Sequence, residues 1–199
     1  METGAWNAKT HLGRFLLPKE DAMRLEHSEL VIRDAEVGDA RLLCQWWNDG
    51  KVMEHAGFPL GLGTTEEEVV KLLAQDEDGI HRRLILEVAS VPVGEMNYRN
   101  KGGGTAEIGI KICRFDHQEK GYGTKFLKML IAYLFDELGF TRIILDTNVK
   151  NTRAQHVYEE KLGFRKAGVR IDSWKDQLGE LQSSIDYELL PEDFAPHRM

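Results

Sequence analysis

Between an apolar run ending near Cys113 and a long amphipathic segment lies Gln118-Glu119-Lys120-Gly121-Tyr122-Gly123-Thr124. This arrangement limits what the chain can become more than any other stretch does. After it, Phe126, Leu127, Leu130, Ile131, Leu134, Phe135 and Leu138 recur at spacings of one, three, one, three, one and three. Only a helix gathers such a stripe on one face, and Gly139 is predicted to cap its C-terminus. The glycines ahead of the helix let the main chain turn without side-chain obstruction, so that successive N–H groups converge at the positive end of its dipole. A diphosphate suits that concavity.

Other phosphate-binding patterns are excluded by letter. No GxxxxGK[ST] string occurs, and neither Gly121-x-Gly123 nor Gly61-x-Gly63 is followed by the third glycine of a dinucleotide fingerprint. The net charge of −7 repels a nucleic-acid backbone and favours neutral or cationic partners. No apolar run is long enough to span a membrane, and the N-terminus lacks a basic start leading into an apolar stretch, so a cytoplasmic location is expected. Cys44 and Cys113 are read as packed thiols, and no residue spacing suggests a metal site.

The order of elements predicts one α/β domain with a mixed, mostly antiparallel sheet flanked by helices. Residues 28–191 form the domain, 1–27 an N-terminal arm and 192–199 a C-terminal tail. The arm is either a mobile tail or docks through Phe15, Leu16 and Leu17 on the domain or on a second subunit, as in a homodimer. A first strand at Glu29–Arg33 precedes a helix over Asp39–Trp47 with Ala40, Leu43, Cys44 and Trp47 on one face. Thr65 with Glu68 forms a capping box for a helix reaching Ala74. Strands over Arg83–Ala89, Val93–Tyr98 and Thr105–Cys113 make an antiparallel meander, with a turn around Pro92. Arg142–Asp146 then completes a βαβ crossover, Asn151–Lys161 is helical, and Ser183–Leu190 supplies a last strand.

Gln118, Gly121 and Gly123 fit the pattern [RQ]-x-x-G-x-[GA], and Asn151, Ala154 and Tyr158, followed by Leu162-Gly163-Phe164, fit a second one, N-x-x-A/S-x-x-x-Y before L-G-F. On these two elements the chain resembles the GNAT superfamily of acyl-CoA-dependent N-acyltransferases over roughly residues 30–190. Val31-Ile-Arg-Asp34 and Trp47-Asn-Asp49 resemble the branch containing ribosomal-protein N-terminal and aminoglycoside 6'-N-acetyltransferases. One departure stands out: five residues separate Tyr158 from Phe164, where family members usually have four. The extra residue is expected at the helix end, as a bulge or longer turn.

The resemblance implies acetyl transfer from acetyl-CoA to a primary amine by direct attack. The acceptor would be a protein N-terminus or a small polyamine or aminoglycoside. Residues 118–124 (Gln118, Glu119, Lys120, Gly121, Tyr122, Gly123 and Thr124) and Asn151 would hold the cofactor, and Tyr158 would protonate the departing thiolate. A phenol with an ordinary pKa near 10 stays protonated at neutral pH and so can serve as that acid. Glu107, eleven residues before Gln118, is the candidate base or else a strand-edge carboxylate beside a cation. The oxyanion donor is expected among backbone N–H groups near the end of the Thr105–Cys113 strand.

Trp46 and Trp47 either wall an acceptor pocket, with Asp49 and Glu54 attracting a cationic acceptor, or Trp47 is core and the acids form a solvated face, the reading preferred; Gly57–Gly63 is the expected mobile loop on the acceptor side. His55, His117 and His156 are read as surface residues. The rival reading is a catalytically inactive acyl-CoA sensor or interaction module on the same fold.

Overall fold

A computed structural model describes residues 22–76 and 80–199. Their centre is an eight-stranded sheet in the order β1-β2-β3-β4-β5-β6-β8-β7. The strands are β1 (Arg24–His27), β2 (Leu30–Asp34), β3 (His81–Val88), β4 (Val91–Gly102), β5 (Thr105–Ile112), β6 (Arg142–Asn148), β7 (Arg165–Lys175) and β8 (Leu181–Leu189). All neighbours are antiparallel except β5 and β6. That single parallel pair is forced by the crossover helix α4 (Tyr122–Asp136), which returns the chain to the starting edge of β5.

Period-2 alternation in β3 divides the core. Leu84 and Leu86 face one side of the sheet, where they pack with Phe126, Leu127, Leu130 and Leu134 of α4. Ile85 faces the other side, covered by Leu43, Trp46, Trp47, Val69 and Leu73 from α1 (Ala40–Trp47) and α3 (Glu66–Ala74). Each such side chain removed from water contributes about 1.5–3 kcal/mol. The expected stripe on α4 is buried, except that Leu138 lies beyond the helix and is exposed. The Thr65–Glu68 capping box forms as read from the sequence.

Several boundaries differ from expectation. Residues 24–27, assigned to the arm, form β1 against β2, whereas Phe15, Leu16 and Leu17 lie outside the described residues. The β3–β4 turn is at Ala89-Ser90, both left-handed, while Pro92 sits within β4 at a register shift opposite Glu87. Proline is tolerated there because a bulge relieves it of a ladder hydrogen bond. A short helix α2 (Gly50–Met53), capped by Asp49, follows α1 and was not foreseen. The expected C-terminal tail belongs to the core. Within α6 (Pro191–Phe194), Phe194 is fully buried, 6.1 Å from the Phe135 ring, and Arg198 forms a forked pair with Asp136 at 2.5 and 2.9 Å.

Phe194→Ala should therefore destabilise the protein by about 3–5 kcal/mol through the cavity it leaves. Urea denaturation of the variant checks this; an unchanged midpoint would make residues 192–199 a tail after all.

Candidate active site

The parallel pairing of β5 and β6 covers only Thr105–Glu107 against Arg142–Ile144. Past these residues the strands part. β5 stays hydrogen-bonded to β4 and β6 to β8, leaving one edge of each strand without a ladder partner. A cavity of about 910 Å³ occupies the gap, with Ile108–Ile112 on one wall and Asp146–Asn148 on the other. Unpaired strand edges are tolerable only where water or a ligand satisfies them. The end of β5, where N–H donors are expected, forms this wall.

At the mouth of the cavity α4 begins. Gly121 (φ 78°) is its N-cap, and no side chain caps the first turn. Glu119 is also left-handed, at φ 61°. Alternation of this kind aims successive N–H groups into one concavity, here coincident with the positive helix end. Space around Gly121 is open, and a Cβ on Gly123 would meet only Ile112 Cγ1 at 3.7 Å, so the glycines leave the mouth clear rather than avoid a clash.

Gln118 braces the loop: its Nε2 donates to the Ile112 carbonyl at 2.9 Å, and its Oε1 accepts from Arg153 Nη1 at 3.4 Å. Gln118, Glu119, Gly121, Tyr122, Gly123 and Thr124 all line the cavity, and Lys120 does not. Arg153, which the sequence reading missed, stands over the loop with a guanidinium suited to a phosphate. Its position three residues before His156 on a helix facing the loop was the available signal.

Asn151 also lines the cavity, but as the N-cap of α5 (Thr152–His156) rather than as a residue within it. Its Oδ1 accepts from the Ala154 N–H at 3.1 Å. The helix then widens into a π-helical turn over Val157–Lys161. The supernumerary residue before Phe164 is absorbed there, and the Phe164 N–H closes the turn on the Tyr158 carbonyl at 2.9 Å. Such turns recur at functional sites because they re-aim one side chain without ending the helix.

Here that side chain is Tyr158, wedged between the rings of Phe164 at 5.8 Å and Tyr187 at 5.6 Å. Tyr187 in turn donates its hydroxyl to Glu159 at 2.7 Å, tying the π turn to β8. Tyr158 lines the cavity, and among the described residues none hydrogen-bonds its hydroxyl. Burial, with a smaller contribution from the Asp146 charge, pushes its pKa up to about 12. It remains a phenol throughout the physiological range.

Glu107 stands apart from the cavity wall, its Oε2 3.5 Å from Lys101 Nζ. The cavity carboxylates are instead Glu54, Glu119 and Asp146. Asp146 is missed by motif reading because it is recognisable only once β6 is splayed from β5. Trp46 and Trp47 belong to the core, and the Trp47 indole donates to Glu95 at 2.9 Å. His55, His117 and His156, read as surface residues, all line the cavity.

The 57–63 loop is tied down. Gln177, at the tip of the β7–β8 hairpin, accepts from the Leu60 N–H and donates to the Gly61 carbonyl, both at 2.9 Å. A Cβ on Gly57 would lie 2.4 Å from the Trp174 ring, so a glycine lets the indole close against the loop. Trp174 and Arg170 thereby border the cavity from the β7–β8 side. Neither was a sequence candidate.

Residues 29–165 match the family model for the acetyltransferase (GNAT) domain. The chain is 26% identical over 172 residues to the uncharacterized N-acetyltransferase p20 of Bacillus licheniformis, covering 83% of this chain and 95% of the relative. It is 28% identical over 154 residues to the spermidine N(1)-acetyltransferase of Vibrio cholerae serotype O1, covering 74% and 86%. A crystal structure of spermidine N-acetyltransferase from Vibrio cholerae, in complex with CoA and spermine, aligns with TM-score 0.76 at 25% identity over 84% of this chain and 99% of that one. A GNAT-family acetyltransferase from Bacillus anthracis aligns with TM-score 0.71 at 26% identity over 85% and 99%. With the family model spanning well over half of its length, the chain belongs to the GNAT family of acetyltransferases.

Proposed function

We propose that the protein transfers the acetyl group of acetyl-CoA to a primary amine of a small polycationic acceptor of the polyamine class. The observation that carries this reading is the meeting, in one cavity, of a phosphate-binding helix mouth and a buried phenol. Acetyl-CoA supplies an activated thioester. The residues fit it: the 118–124 turn and the α4 N-terminus would receive the diphosphate, Arg153 a phosphate oxygen, and the free edges of β5 and β6 the amide-bearing arm.

Tyr158 would then donate its proton to the sulfur. With its pKa pushed up to about 12 it is fully protonated at neutral pH, and its hydroxyl is uncommitted to any described residue. Retention of this phenol in register, despite the inserted residue, argues for turnover rather than for an acyl-CoA sensor.

Three features favour a polyamine-type acceptor. The chain carries a net charge of −7, the cavity includes Glu54 and Asp146 away from the 118–124 turn, and spermidine N-acetyltransferases are among its relatives. The roof made by Trp174 and the tethered 57–63 loop suits a slender chain better than the end of a folded protein. Aminoglycosides and protein N-termini, expected from the sequence alone, are the competing acceptors.

CoA release measured across spermidine, spermine, aminoglycosides and N-terminal peptides should be fastest with the polyamines; a peptide or aminoglycoside turned over more efficiently would reassign the acceptor. Tyr158→Phe should slow kcat by on the order of 10²- to 10⁴-fold while leaving the calorimetric affinity for CoA unchanged. Gly121→Val places a β-branched residue in a left-handed conformation. It should weaken CoA binding at least tenfold (about 1.4 kcal/mol), and normal affinity in this variant would dissociate the turn from cofactor binding.

A further inference from the structure

Attack on a thioester requires an amine free of its proton, and an alkylammonium has a pKa of about 10. Something in the cavity must accept that proton. Glu107 is paired with Lys101 and stands outside the wall. Glu119 is almost wholly exposed on the cofactor turn, and Glu54 is more than half exposed beside His55. Asp146 is as exposed as Glu54 and is set apart instead by its place, since of these carboxylates it is the one whose charge acts on the Tyr158 phenol. It lies on β6, on the same cavity wall as Thr147 and Asn148 and across the gap from β5, and Tyr158 borders the same space.

We propose that Asp146 is the catalytic base, accepting a proton from the acceptor ammonium, and that its loss of charge facilitates proton donation by Tyr158. This assignment deepens the acetyltransferase reading and rests on it.

The surroundings of Asp146 prepare it for that role. Arg170 on β7 commits its fork to Asp186 of β8, with bonds of 2.9 and 2.7 Å, and reaches Asp146 with one nitrogen only, at 3.2 Å. One such bond orients the carboxylate without neutralising it. Burial raises the Asp146 pKa, and the charges of Asp186 and of Glu107 on β5 add to the rise, outweighing Arg170. Lys51, Glu54 and His55 border the cavity from α2 and the turn after it, and His156 does so from α5. The negative charge of Asp146 is also what opposes ionisation of Tyr158, beyond the effect of burial.

The step balances as follows. The ammonium gives one proton to the Asp146 carboxylate, and the nitrogen lone pair forms the C–N bond as the C–S bond breaks. The sulfur keeps that electron pair and takes the Tyr158 proton. The second nitrogen proton restores the phenol, and Asp146 releases its proton to solvent. Because Asp146 is neutral when Tyr158 ionises, the phenolate forms without the repulsion present at rest. The two proton transfers therefore assist one another.

A base works only when ionised. Activity should fall as the pH drops through the raised Asp146 pKa, so the acid limb of kcat/KM should lie above the ordinary carboxylate range, followed by a plateau. With spermidine as acceptor, Asp146→Asn should lower kcat/KM at pH 7 by on the order of 10²- to 10⁴-fold. The plateau should be replaced by a rise of about tenfold per pH unit toward the amine's own pKa of about 10, because only amine already deprotonated reacts.

Asp146→Glu should restore the plateau, and Glu107→Gln should keep it while moving the acid limb to lower pH. CoA affinity by calorimetry should be unchanged in every variant. Slow hydrolysis of acetyl-CoA without added amine, where water is the acceptor, should also fall in Asp146→Asn. If spermidine is not turned over but hydrolysis falls, the base assignment stands and the polyamine reading fails. A plateau preserved in Asp146→Asn, or hydrolysis equal to that of the unaltered protein, would overturn the base assignment itself.

Discussion

The parting of β5 and β6 after three paired residues governs the rest of the molecule. A continuous ladder would place hydrogen bonds where the cavity now is, and the sheet would have no cleft. Parting the strands costs the ladder bonds of both inner edges, a penalty that water or a bound chain with amide groups can offset. It also sets the α4 N-terminus at the cleft's mouth, because a short crossover from β5 must begin its helix beside the end of that strand. The helix mouth, the free strand edges and the cavity walls are thus consequences of one interrupted pairing.

The inserted residue after Tyr158 shows how local strain is confined. A regular helix through Lys161 would rotate Leu162 and Phe164 away from the core by about one residue's turn of roughly 100°. The π turn takes up that rotation, so Leu162 stays fully buried and Phe164 nearly so, while Tyr158 keeps its place on the cavity. Tyr187 and Glu159 hold the widened turn from β8, and Lys166 supports Glu159 at 3.0 Å. Placement of the phenol therefore depends on packing against a strand far along the chain.

Much of the architecture was legible in advance because it rests on local rules. The α4 stripe, the Thr65–Glu68 box and the turn at Gly121 are set by residues within a few positions of one another. Short or long-range features were less legible. Arg24–His27 has no pattern of its own and becomes a strand only by pairing with Leu30–Arg33, and Phe194 looks like tail until it reaches Phe135. Trp46 and Trp47 allowed either an aromatic wall for a ligand or, for Trp47, a core position, and the core beneath α1 and α3 claims both. Trp174 roofs the cavity only because the β7–β8 hairpin folds back over a loop more than a hundred residues earlier.

From the sequence alone came the glycine turn ahead of α4 and the order of helices and strands, since each is encoded in contiguous spacing and in the fixed geometry of peptide units, while Tyr158 was singled out by the resemblance of its helix to the family pattern. Tertiary structure alone decided which carboxylate faces the cavity. Glu107 and Asp146 are both acids on strands that flank the gap, and no periodicity distinguishes them. The difference arises where β5 and β6 separate: Glu107 lies within the paired stretch and meets Lys101, whereas Asp146 lies beyond it, on an open edge whose neighbours Asp186 and Arg170 arrive from strands distant in the chain. Electric fields act through space, and the chain must fold before those charges are near one another.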